Sequence, residues 1–115
     1  MSKHFALRLY FHHSARVRPS RFWHKVARPS LASHLLKKAS EAGIHQVVMH
    51  HVKAGYLPGD KLSRDHSDIR PHKLPHCIEL IDLEHRLREF LAHHGEHLEN
   101  VRAVFFPCEI NPQGT

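Results

Sequence analysis

The sequence has very little cysteine and no long apolar run, and each absence excludes a class of protein. Its two cysteines, Cys77 and Cys108, form no CxxC motif and give no disulfide framework. No run of apolar residues could span a bilayer, and residues 1–4 start no apolar leader segment. We therefore expect a cytoplasmic protein without a transmembrane segment.

Catalytic motifs are also missing. The sequence contains no GxSxG nucleophile motif, no glycine-rich phosphate loop and no HExxH metal motif. Its 11 acidic residues fall mainly on the second predicted helix and the central loop, so paired carboxylates are scarce. We therefore do not expect an enzyme.

Histidine is the residue that the sequence has in abundance. There are 15 histidines among 115 residues, and they extend from His4 to His97 instead of forming one tag-like cluster. Histidine is the commonest metal ligand, and it titrates near neutral pH. Metal binding, proton sensing and an ordinary imidazole-rich surface are therefore all open at this point.

Hydrophobic spacing predicts four strands and two helices in a single domain, residues 1–115. The period of two predicts strands over residues 5–12, 44–52, 75–82 and 101–106. Helical spacing predicts a first helix that opens at residues 28–30 and a second that follows residue 82. Gly43 and Gly95 are placed to end the two helices, and Asp82 is placed to cap the second.

The order of these elements, β-α-β-β-α-β, predicts the ferredoxin-like α+β fold. That fold has a four-stranded antiparallel sheet with both helices on one face. The segments at 47–49 and 104–106 are apolar on both sides of their strands, so the second face of the sheet also needs cover. In so small a chain this favours an oligomer. A long loop, residues 55–73, and a short tail, residues 111–115, complete the domain.

Several short strings resemble a family of small PII-like proteins, relatives of the nitrogen regulator PII and of CutA. Residues 74–82, LPHCIELID, are similar to the LPxxIExxD third strand of that family. Residues 7–11 (LRLYF), the pair Arg28–Pro29, residues 41–44 (EAGI) and the pair Gly55–Tyr56 match in order and spacing. The resemblance covers roughly residues 5–110 by this comparison of motifs.

The resemblance implies a homotrimeric signalling protein whose central loops lie over clefts between subunits and contact a protein partner. PII binds nucleotides in those clefts, so an adenine nucleotide is one expected effector. The corresponding effector and phosphate-binding residues here are Arg28, Lys53, Gly55 and Tyr56. Relatives carry a basic residue followed by glycine late in the second strand and another glycine just after the aromatic residue of the loop. In this chain those regions read HHVK at residues 50–53 and YLPG at residues 56–59.

The predicted fold collects most histidines at one end of the sheet, where the first two strands end and the third begins. Those histidines are His12, His13, His24, His50, His51, His66, His72, His76, His93, His94 and His97. His4, His34, His45 and His85 are expected elsewhere.

This end of the sheet predicts a site for nickel, copper, zinc or cobalt, because imidazole suits these ions. Neighbouring strand residues point to opposite faces, so one member of each doublet is expected to bind. The predicted ligands are His12 or His13, His50 or His51, and His76, with His72 assisting from the loop.

Two further expectations complete the prediction. The loop at residues 55–73 carries many charged residues and few apolar ones, so we expect it to be mobile without an effector. The alternative function is nucleic-acid binding on the same fold, ranked second. It rests on a group of basic residues that we would expect to contact phosphate groups: Arg16, Arg18, Arg21, Lys25 and Arg28.

Overall fold

The computed structural model describes residues 3–17, 29–65 and 73–112. Its strands are β1 (His4–His12), β2 (Gln46–His50), β3 (Ala54–Gly55), β4 (Ser63–Arg64), β5 (Pro75–Leu83) and β6 (Arg102–Cys108). Its helices are α1 (Leu31–Glu41) and α2 (Glu84–His93), followed by a short 3-10 turn, Gly95–His97. Within the described ranges, no helix has the length and apolar character needed to cross a membrane.

The four long strands form one antiparallel sheet in the order β2-β5-β1-β6. Because β5 lies between β1 and β2 and is antiparallel to both, β1 and β2 run in the same direction. This topology confirms the predicted ferredoxin-like α+β fold, with β5 and β6 as the predicted third and fourth strands. The sequence did not predict β3 and β4, which pair Ala54 with Arg64 and Gly55 with Ser63 inside the long loop.

Both helices pack on one face of the sheet. The alternation in β1 points Leu7, Leu9 and Phe11 to that face, where they form one core with residues of both helices, including Leu35 and Leu87. All five side chains are at most 2% exposed. Burial of this apolar surface is the main stabilising contribution to the fold.

The ends of α1 are set by short local interactions. Ser30 caps the helix, because its Oγ accepts a hydrogen bond from the Ser33 backbone N–H at 3.2 Å. Gly43 ends it with a φ of +69°, a left-handed conformation that glycine adopts without strain. Ile44 N–H then donates to the Ala39 carbonyl at 3.1 Å, and the chain enters β2.

Asp82 does not cap α2, and that prediction was wrong. The strand continues through Leu83, which takes the N-cap position without a side-chain hydrogen bond. Asp82 is instead 4% exposed and joins three elements. Its carboxylate accepts from the backbone N–H of His45 at 2.9 Å, from that of Leu83 at 2.6 Å and from Arg86 at 2.8 Å.

The chain segments on either side of residues 18–28 lie together beside the end of β1. Arg16 forms an isolated antiparallel bridge with Ser30. The Val17 N–H donates to the Pro29 carbonyl at 3.2 Å. Val17 is fully buried, so this closure is anchored in the interior. Of the predicted basic group, Arg18, Arg21, Lys25 and Arg28 lie outside the described residues.

Candidate functional site

The sheet brings the ends of β1 and β2 and the start of β5 together, as the sequence predicted. In the register of the sheet, His12 pairs with Pro75 and His50 with Cys77. The His13 N–H donates to the Leu74 carbonyl at 2.8 Å. Five of the six predicted metal ligands therefore lie on neighbouring chain segments, and the sixth, His72, lies outside the described residues.

Most of these histidines face a carboxylate. His12 Nε2 lies 2.6 Å from Asp60 Oδ2, in a hydrogen bond that joins β1 to the central loop. His51 Nε2 lies 3.4 Å from Asp65 Oδ2. His50, the last residue of β2, points to Glu79, with 3.8 Å between its Nε2 and the carboxylate Oε1.

The five predicted ligands that the structure describes do not converge on one point within a single chain. His13 and His76 are neighbours, with ring centroids 5.6 Å apart, and Phe11 covers the other side of His76 at 5.7 Å. His12 points instead to the loop. In the part of the chain that the structure describes, no group of three or more His, Cys, Asp or Glu side chains is arranged to hold a metal ion.

Two open clefts meet at His12. The first, about 260 Å³, lies between β1 and the 3-10 turn, with Arg16, Glu96 and His97 in its wall. The second, about 550 Å³, lies under the central loop, with Tyr10, Asp60 and Arg102 in its wall. Sites for small molecules usually have volumes of about 300–1,000 Å³. The residues around His12 therefore offer the size and polarity that a small polar ligand needs.

The predicted effector residues lie at the base of the loop. The Lys53 carbonyl accepts from the Asp65 N–H at 2.7 Å, which closes the loop beyond β4. Gly55 forms part of the β3–β4 ladder, and Tyr56 is 64% exposed. Arg28 lies outside the described residues. Lys53 and Tyr56 are thus accessible to a ligand or to a neighbouring subunit.

The contact between His12 and Asp60 is the side-chain tie that holds the loop tip to the sheet. We expect Asp60→Ala to raise the amide exchange of residues 57–63 about fivefold, because one partly exposed hydrogen bond is worth about 1 kcal/mol. Hydrogen exchange of the ligand-free protein measures this, with Lys61→Ala as an exposed control that leaves exchange unchanged. Equal exchange in the Asp60 variant and the wild type would show that the tie does not order the loop.

The structure contains a second histidine cluster that was not predicted from the sequence. His34 was expected to lie away from the histidine-rich end, and this was wrong. It lies in the first turns of α1, with its ring centroid 4.7 Å from that of His97 and 6.2 Å from that of His94. Burial, with smaller contributions from neighbouring cations, lowers the pKa of His34 to about 4. Burial also lowers the pKa of His94.

The cysteines behave as the sequence predicted. Both are free, with Cys77 buried in β5 and Cys108 half-buried at the end of β6. Burial raises the pKa of each thiol. A raised pKa keeps a thiol protonated and therefore unreactive at neutral pH.

Comparison with known proteins identifies the family. No curated protein matches the sequence. Residues 5–110 match the family DUF190, described as "Uncharacterized ACR, COG1993". The match covers both helices, all six strands and the end of the sheet where the histidines gather. The chain therefore belongs to the DUF190 family.

Proposed function

We propose that this chain is a non-catalytic, PII-like regulatory protein of the cytoplasm. Three copies form a trimer, and a small effector binds at the histidine-rich end, between subunits. The effector is a divalent transition metal or an adenine nucleotide. Its binding orders the central loop and changes how the loop contacts a partner protein, since ordering of a segment is a common form of switching.

The observation that carries this proposal is the face of the sheet opposite the helices. The register places Val48, Glu79, Arg8 and Val104 in one row across that face. The next row holds Gln46, Ile81, Ala6 and Phe106. Neither helix covers these rows, since both pack on the other face. Five of these eight positions are apolar, and the charged pair Arg8–Glu79 and Gln46 occupy the others. A partly apolar sheet face that no helix covers is typical of an interface between subunits.

The charged groups Arg8 and Glu79 on the open face are paired with each other, which favours burial between subunits. Arg8 Nε donates to Glu79 Oε2 at 2.6 Å, and its guanidinium lies 5.1 Å from the Phe106 ring centroid. The hydrogen bond with Glu79, followed by one with Tyr10, raises the pKa of Arg8, so the guanidinium stays charged. Taking a paired charge out of water costs far less than taking an unpaired one.

The position of the clefts supports an effector at the histidine-rich end. Both clefts are open on one side, and both include His12 in their walls. A neighbouring subunit would close them and add polar groups. A metal effector would draw ligands from two subunits or from residues outside the described ranges, because the described residues of one chain hold no ready-made set.

Calorimetric titration of metal-free, untagged protein tests the proposal, with nickel, copper, zinc, cobalt, ADP and ATP as separate ligands. For a metal effector, we expect His50→Ala combined with His76→Ala to weaken binding by a factor of about 10 to 100. Metal binding should also weaken as the pH falls below about 6.5, because protons compete for the ligand nitrogens. His85→Ala is the matched control, since His85 is exposed on α2 and outside the histidine-rich end.

Two results would contradict the proposal. One is that none of the six ligands binds with a dissociation constant below tens of micromolar. The other is a stable monomer of 13.4 kDa by light scattering at micromolar concentration. If the double substitution leaves metal binding unchanged, the metal is still an effector, but His50 and His76 are not its ligands.

Nucleic-acid binding remains the second candidate, and its support is the net charge of +6. Of the residues predicted to carry it, the structure describes Arg16, which is exposed to the cleft beside His12. Binding of this kind weakens steeply with salt, because it releases counterions. A titration with duplex DNA and RNA at two salt concentrations distinguishes it from effector binding.

A further inference from the structure

The cluster of His34, His94 and His97 joins three elements of the fold. His34 belongs to α1, His94 ends α2, and His97 closes the 3-10 turn. The Phe90 ring lies 4.5 Å from His94, and His94 is 91% buried, with 9% exposed. The Nε2 of His34 is buried and has no hydrogen-bond partner among the described residues. A ring nitrogen in this situation is tolerated when neutral and is costly when charged.

The charged groups around the cluster add to this cost. Three elements face it: α1, α2 and the 3-10 turn. The groups of these elements that act on the charge of His34 or His94, besides each other, are Lys38, Glu41, His93, Glu96 and His97, while Arg86 and Glu89 line a separate cleft beside His94. For both His34 and His94 the largest effect is burial, and Lys38 and the neighbouring histidines act in the same direction, against Glu41 or Glu96. The packing of the cluster is therefore favoured while the rings of His34 and His94 are uncharged.

The 3-10 turn, Gly95–His97, contributes to the cluster and also forms part of the wall of the first cleft. Its backbone hydrogen bonds are local, from His97 N–H to the His94 carbonyl at 3.0 Å and from Leu98 N–H to the Gly95 carbonyl at 3.1 Å. The contact between the His34 and His97 rings links the turn to α1, and Leu98, directly after the turn, packs against the core. His97 faces the same cleft as His12, so a movement of the turn changes that cleft.

We propose that His34, His94 and His97 form a proton-operated latch: the neutral rings hold the 3-10 turn against α1, and protonation releases the turn and opens the cleft beside His12. The latch itself depends only on the fold. Its consequence for an effector rests on the function proposed above.

The direction of the pH dependence follows from the pKa values. In an unfolded chain histidine has a pKa of about 6.5, whereas that of His34 in the fold is about 4. The unfolded or opened form therefore binds more protons between these values. The contribution of the latch is complete above pH 6.5 and is lost as the pH falls toward 4.

Two measurements on the full chain without any effector test the latch. In a titration of the histidine ring protons by NMR, we expect His34 to titrate near pH 4 and His94 to titrate below the ordinary histidine value. In hydrogen exchange, corrected for intrinsic rates, the opening of residues 94–98 should increase about tenfold from pH 7.5 to pH 5.0. For a fully buried histidine with this pKa, opening would increase roughly 30-fold over the same pH change. The partial exposure of His34 makes the expected increase smaller.

His34→Phe is the decisive variant, because it keeps an aromatic ring and removes the proton site. Its opening should increase clearly less than that of the wild type over the same pH change, and His94 accounts for the increase that remains. His85→Phe, on the exposed surface of α2, should behave as the wild type.

Ring protons of His34 that titrate near pH 6.5 would overturn the latch. An equal increase of opening in His34→Phe and the wild type would also overturn it. If His34→Phe does not fold, the ring titration of the wild type decides alone. Because no effector is present, failure here leaves the effector titrations unaffected, and their failure leaves the latch intact.

Discussion

Asp82→Ala is expected to lower the free energy of unfolding by about 3 kcal/mol. The substitution removes a buried carboxylate that accepts from His45, Leu83 and Arg86. Hydrogen bonds to a charged group contribute about 1.5–3 kcal/mol, and each donor left buried adds its own desolvation cost. Urea unfolding at fixed protein concentration measures the change from the shift of the midpoint.

Glu84→Ala is the matched control for Asp82. Glu84 accepts from Arg88 at 2.8 Å, but 43% of its side chain and 56% of that of Arg88 are exposed. Exposed pairs of this spacing contribute about 0.3–0.5 kcal/mol. Similar losses in the two variants would mean that the junction around Asp82 is no more important than an ordinary surface pair.

Val48→Lys is expected to convert the proposed trimer to monomers at micromolar concentration. Val48 is 41% exposed in the single chain, so the lysine does not disturb the core. In an assembly that covers the open face, each copy would bury an unpaired ammonium at a cost of several kcal/mol. Light scattering measures the mass, and circular dichroism confirms that the chain is folded.

Glu89→Lys serves as the control for Val48, because Glu89 is exposed on α2, on the helix side of the sheet. It should leave the oligomeric mass unchanged. If Val48→Lys and the wild type form oligomers of the same mass, the subunits associate through a surface other than the open face.

Local patterns were sufficient to predict the fold. The alternation of Leu7, Leu9 and Phe11 and the helical spacing of Leu31, Leu35 and Ala39 are features of neighbouring residues, and the sequence shows them directly. The element order then leaves few topologies, because crossovers have a fixed hand. Strand ends were predicted less well, as the shortening of β2 to Gln46–His50 shows.

The contacts of the site could not be predicted, because its partners lie far apart in the sequence. An aspartate before a helical segment indicates a cap, and nothing local shows that Asp82 is instead an acceptor for His45, 37 residues earlier. His34 looked like an ordinary helix position, and its partner His97 is 63 residues away. The predicted topology did bring His12, His50 and His76 to one end of the sheet, but it did not show that His12 faces Asp60.

The strand order has a consequence for how the chain folds. Every ladder of the four-stranded sheet joins a strand before residue 51 to a strand after residue 74: β1 with β5, β1 with β6, and β2 with β5. A fragment that ends at residue 53 thus has two strands that cannot pair with each other in the native order. Neither half can build the sheet alone, so the chain should fold in one cooperative and comparatively slow step. Two separately expressed halves should regain structure only when they are mixed.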